Sequence, residues 1–249
     1  MTNKEKELFA RLCREDKVLR GSDGDGIGTY NEKRFHRIYK RLVTPDAYCY
    51  EVKIGPYTAD VFCDGRITEI QTGSFHSLIA KVKYYLTNTD FNVTIVKPLV
   101  SKKRIIRTDK ETGVVHYERI SPRKQDIPDA ICELYYLRDF LVNERLTVQF
   151  VYIEVDEYRY SERIRRRRTG AYENDAFPVC IVKDEIFCGG QVYGRFLPQR
   201  LRVGEFDVKT YSAETGLKNK AAYSALNILC ETGYLDRRKE GNRLIFRCK

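Results

Sequence analysis

No stretch of the sequence reaches the roughly 18 apolar residues that a membrane-spanning helix needs, so no membrane partner is expected. There are three histidines, His36, His76 and His116, and they fall on separate predicted elements. That scatter argues against a histidine-ligated zinc. The eight cysteines include no CxxC pair. Most lie in apolar runs, such as Cys49 in YCYEV, Cys63 in DVFCDG and Cys230 in LNILCE. Cysteine in such a run behaves as a small buried hydrophobe. This usage argues against a zinc ribbon or a disulfide framework and fits a reducing compartment. Met1 to Arg20 is charged throughout and has no apolar signal core, so a cytoplasmic location is expected. There is no Walker loop, nucleophile elbow, dinucleotide fingerprint or internal repeat.

What is present is a chain of 249 residues, 42% apolar and 32% charged. That balance can bury a core and excludes general disorder. Lys plus Arg outnumber Asp plus Glu, 45 to 35, for a net charge of +10. The excess points to a negatively charged partner, nucleic acid above all, although a soluble protein can also simply be basic.

Periodicity predicts an α/β chain with a mixed sheet. A charged helix over 1–20 precedes the break GSDGDGIGT. Asn31 is expected to cap a helix over 32–42, which Pro45 ends. Strands are predicted over 48–54, 57–63 and 66–71, with Gly55-Pro56 and Asp64-Gly65 as the breaks. A helix over 75–86 and a buried strand over 91–96 follow. Residues 101–124 read as an inserted hairpin with eight basic and three acidic residues. A helix over 128–142 and strands over 146–155 and 177–188 complete a first domain, 1–200. RIRRRRTG, with Arg165, Arg166, Arg167 and Arg168, is expected on an exposed loop.

The stretch TADVFCDGRITEIQTG can carry chemistry. Asp60 lies on one predicted strand, with Glu69 and Gln71 across the turn on the next. Side chains alternate along a strand, so Glu69 and Gln71 share a face and Ile70 points away. A hairpin brings Asp60 toward that face. Two carboxylates and the Ile70 carbonyl suit a hard cation, Mg²⁺ or Mn²⁺. The same alternation also fits the solvent face of an edge strand.

This order resembles the PD-(D/E)xK nuclease superfamily, whose fold is restriction-endonuclease-like, over about residues 31–97. Glu69-Ile70-Gln71 is similar to its ExQ variant. The resemblance implies a Mg²⁺-dependent DNA endonuclease with Asp60, Glu69 and the Ile70 carbonyl on the metal. It implies that Gln71 orients water or phosphate, and that Glu32 is an added acidic group. Ala59 stands where the motif has proline, and Gln71 lacks the usual lysine charge. Lys81 or Lys83, on the following helix, is the expected replacement. His76 fits either a base or an ordinary helix-start residue.

Residues 204–249 resemble a winged helix: helix, Gly turn, longer helix and two strands. The resemblance implies groove contacts by Lys218, Asn219, Lys220, Tyr223 and Ser224. It implies phosphate contacts by Arg237, Arg238, Lys239 and Arg243. Winged helices also bind proteins, and a net charge of only +3 over this segment leaves that use open. Lys102, Lys103, Arg104 and Arg107 of the hairpin are expected to flank DNA, with Arg165 to Arg168 on its phosphates. A homodimer or a partner recombination protein is the expected assembly. The alternative is a non-catalytic DNA-binding regulator whose α/β domain dimerises or senses a ligand.

Overall fold

The structure, a computed structural model, describes residues 1–20, 30–109, 112–161 and 174–249. It is a mixed α/β fold. A seven-stranded sheet has the order β1-β2-β3-β4-β6-β7, with β5 paired to β4. The strands are β1 (Tyr50–Ile54), β2 (Tyr57–Cys63), β3 (Arg66–Ile70), β4 (Asn92–Asp109), β5 (Val115–Ile120), β6 (Leu146–Ser161) and β7 (Asn174–Cys188). β2 and β3 form an antiparallel hairpin, with Val61 opposite Thr68. β3 and β4 run parallel, with Glu69 opposite Ile95. A parallel pair needs a crossover. It consists of a 3-10 turn, Phe75–Leu78, capped by Ser74, and α3 (Ile79–Asn88).

The chain divides into two compact units, to which β1, β4, β6 and β7 each contribute residues. One comprises Met1–Val52, Pro98–Gln125 and Val151–Asp184. In it α1 (Asn3–Arg20) buries Phe9, Leu12, Cys13 and Asp16 at helical spacing. α2 (Tyr30–Val43) answers with Phe35, Ile38 and Tyr39. The Phe9 and Phe35 rings lie 6.0 Å apart, and Phe35 stacks on Tyr39 at 5.3 Å. The buried Asp16 carboxylate accepts from the Arg37 guanidinium, which keeps that charge paired.

The other unit comprises Lys53–Lys97, Asp126–Phe150 and Glu185–Lys249. α4 (Ile127–Leu134) starts with an Asp126/Asp129 capping box and Pro128, and a 3-10 turn, Tyr135–Phe140, continues it. β8 (Glu205–Asp207), α5 (Val208–Thr215), α6 (Asn219–Glu231), β9 (Leu235–Glu240) and β10 (Arg243–Cys248) follow. The last three strands form a small antiparallel sheet of order β8-β10-β9. α6 packs against α4 and the 3-10 turn after it.

Several boundaries differ from the expected ones. α2 already begins at Tyr30, so Asn31 lies within the helix rather than capping it. The strand expected to end at 96 runs on to Asp109, and the basic hairpin is its continuation with β5 rather than an insertion. Residues 205–207 are a strand, which places the helix start at Val208. Residues 204–249 cluster with the β2–β3–α3 region, so the compact units do not divide at 200–204.

Candidate metal-binding site

Extending the β2/β3 register by one residue sets Asp60 opposite Glu69. Directly opposed residues project to the same face, so the hairpin alone brings the two carboxylates together. Asp60 is half-buried, and its Oδ2 accepts the Ile70 backbone N–H at 2.7 Å. Its Oδ1 makes no hydrogen bond within the described residues. Ile70 is buried and ends β3, so only its carbonyl is a candidate ligand.

Glu69 is only 2% exposed. Lys81 donates to its Oε2 at 2.6 Å, and Tyr85 Oη donates to its Oε1 at 3.2 Å. Burial pushes the Glu69 carboxyl up to about 7, and the nearby Asp60 charge adds to the rise. The Lys81 ammonium opposes it.

Lys81 and Tyr85 come from one face of α3, four residues apart. Lys81 is therefore the lysine that reaches inward, and Lys83 is exposed. Gln71 lies one residue beyond β3. Its Nε2 donates to the Ser74 carbonyl and the Ser77 hydroxyl, both at 3.0 Å. Its two N–H donors are thus directed at the 3-10 turn, which leaves Oε1 as the atom available to a water. Glu32 falls on α2, and its side chain lies outside the described residues. Among the described residues no group of three acidic, histidine or cysteine side chains forms a ready metal cluster.

Lys97 and Glu133 support this loop and were not singled out from the sequence. Lys97 is buried, lies 5.3 Å from the Phe75 ring centroid and donates to the Thr72 and Gly73 carbonyls. Glu133 accepts the Phe75 N–H at 2.7 Å. A lone lysine in the apolar run FNVTIVKPLV is the signal that marks Lys97.

The expected DNA-contacting residues separate into groups. Lys102 pairs with Glu154 at 3.3 Å, Lys103 with Glu157 at 2.8 Å, and Arg104 with Asp156 and Glu118. These three cations, expected to flank DNA, already face carboxylates. Arg165 to Arg168 lie outside the described residues. Lys218, Asn219, Lys220 and Tyr223 are exposed at the start of α6, whereas Ser224 is buried. On β9, Arg237 donates to Asn227, and Arg238 pairs with Glu205 and Glu240. Lys239 and Arg243 are exposed.

No solved structure matches this chain. An uncharacterized protein of Treponema pallidum (strain Nichols) is 32% identical over 143 residues, which is 57% of this chain and 56% of that protein. The chain thus spans little more than half the length of this relative. Residues 33–188 match the family described as a domain of unknown function, DUF8091, and they include β2, β3, α3 and both candidate carboxylates. The chain belongs to the DUF8091 family.

Proposed function

We propose that this protein is a divalent-metal-dependent DNA endonuclease of the restriction-endonuclease-like type, with a C-terminal winged helix. The observation that carries the reading is the cross-strand pair Asp60 and Glu69 with Lys81 held 2.6 Å from Glu69. Supporting it is the run of β-hairpin, parallel partner strand and intervening helix over β2, β3, α3 and β4. α5, α6 and the β8-β10-β9 sheet support the winged-helix part.

The donor set fits a hard cation: two carboxylates on one face and a backbone carbonyl at the strand end. Asp60, Glu69 and the Ile70 carbonyl would hold Mg²⁺ or Mn²⁺. That ion, when bound, supplies polarisation of the phosphate and a more acidic water. Lys81 offers positive charge beside Glu69, where a phosphate oxygen would gain negative charge. Tyr85 fixes the other Glu69 oxygen. Gln71 Oε1 would accept a hydrogen bond from the water and so help aim it.

The test is cleavage of supercoiled plasmid and branched DNA in Mg²⁺, Mn²⁺ or EDTA, beside Asp60→Ala and Glu69→Ala proteins of unchanged fold. Metal-dependent nicking by the wild type alone is the expected outcome. A second reading, a DNA-binding regulator, draws on the burial of Glu69 against Lys81, which also suits a structural ion pair. Tight, salt-sensitive DNA binding with no cleavage in any metal would favour it.

A further inference from the structure

The turn that receives Gln71 leads into a line of aromatic and cationic groups. His76 lies within that turn and is exposed. Its ring centroid is 5.6 Å from that of Tyr136, edge to face. Tyr136 is half-buried on the 3-10 turn after α4. Lys220, at the start of α6, lies 5.3 Å from the centre of the Tyr136 ring, and its Nζ donates to Tyr136 Oη at 3.3 Å. Tyr223, one turn further along α6, is 50% exposed. All these residues belong to one compact unit; Gln71 bonds Ser77, whose chain neighbour His76 meets Tyr136, which in turn meets Lys220.

Rings left at the surface beside a solvated ammonium match the chemistry of an unpaired nucleotide strand. Each base offers a flat face to a ring, and each phosphate offers a negative charge to a cation. A duplex hides its base faces and cannot use the rings in this way. We infer that His76, Tyr136, Lys220 and Tyr223 form a track for an unpaired DNA strand leading to the carboxylate site. The inference rests on the nuclease reading for what lies at the end of the track. It narrows the substrate class to single-stranded or branched DNA. Tyr136 stacks a base, and Lys220 meets the adjoining phosphate.

The test reads binding separately from cleavage, in EDTA, by fluorescence anisotropy. The probes are a short labelled oligothymidylate, the same length of duplex, and oligouridylate. Tyr136→Leu is expected to weaken oligothymidylate binding about tenfold, the size of one lost stack, and to affect the duplex less. Tyr136→Phe keeps the ring and is expected to bind as the wild type. Lys220→Ala is expected to reduce the salt slope by about 0.7, one phosphate on a single strand. Thermal melts of each variant separate lost contacts from lost fold. Unchanged oligothymidylate binding by Tyr136→Leu, or equal losses on duplex and single strand, overturns the track. Tighter binding of oligouridylate overturns the assignment to DNA. Single-strand binding through Tyr136 without cleavage in any metal overturns the nuclease reading and leaves the track standing.

Discussion

Lys81 is the residue on which the candidate site turns. A buried carboxylate is costly unless a cation neutralises it, and Lys81 does so directly. If the same ammonium also stabilises charge on the phosphate, its loss strikes chemistry harder than fold. Lys81→Met is expected to slow single-turnover cleavage by about 10²-fold or more, the scale of a lost electrostatic contact. Lys83→Met, two positions on and exposed, is expected to cleave normally. Equal rates for the two variants would remove Lys81 from the site. Lys97 acts through the backbone instead. Its removal takes the Lys97 hydrogen bonds from the Thr72 and Gly73 carbonyls beside Gln71, so Lys97→Met should cost about 1 kcal/mol in chemical denaturation. The carboxylate pair was legible because strand alternation has a period of two and the Asp64-Gly65 turn fixes the register. Tyr85 was not. An apolar stripe reads the same whether its tyrosine only packs or also donates to a carboxylate.

At the scale of elements, the glycine turns were the readable features and the caps were not, since Asn31 lies within α2 rather than before it. Gly55 has φ +60 in the β1–β2 turn, and a Cβ there would meet the Tyr84 ring. Gly55→Ala is therefore strained twice over and should destabilise by more than about 1 kcal/mol in a thermal melt. Asp207 caps α5, accepting the Thr210 N–H and hydroxyl, both at 2.8 Å. Those bonds hold its carboxyl below the usual aspartate range. The folded value lies under the unfolded one, so its contribution is complete above about pH 4 and is lost as pH falls through the folded value. Asp207→Ala should cost about 1 kcal/mol at neutral pH. Asp207→Asn should keep the cap and flatten the acid arm of the stability curve. The long β4 was read only as far as 96, where the apolar run FNVTIV ends. Pro98 in fact follows Val96, the last residue paired to β3, and precedes Arg104, the first paired to β5. Its missing N–H therefore falls between the two pairings.

At the scale of the whole molecule the net charge of +10 is the sequence's clearest statement, but charge counts do not say which cations are available. Two segments each carry a net +5: residues 101–124 and residues 158–170. From sequence they were equivalent candidates for phosphate contact. The structure shows what the first one does with its charge. Lys102, Lys103 and Arg104 meet Glu154, Glu157 and Asp156 of β6, a cross-strand arrangement that a local reading could not reveal because the partners lie about fifty residues away. A cation that already has a carboxylate releases few ions on meeting a phosphate, so it adds little to the salt dependence of binding. The two segments are therefore separable by one titration. Replacing Arg165 to Arg168 by alanine should weaken duplex binding regardless of sequence. It should also reduce the slope of log affinity against log salt by up to about 3.6, at about 0.9 per phosphate contact. Replacing Lys102, Lys103 and Arg104 should leave the slope nearly unchanged and lower the melting temperature instead, since the mostly buried Asp156 would lose its Arg104 partner, whereas Glu157 keeps Arg159. A slope that falls with the hairpin variant and not with the arginine variant would reverse the assignment, making the paired hairpin the DNA-facing edge.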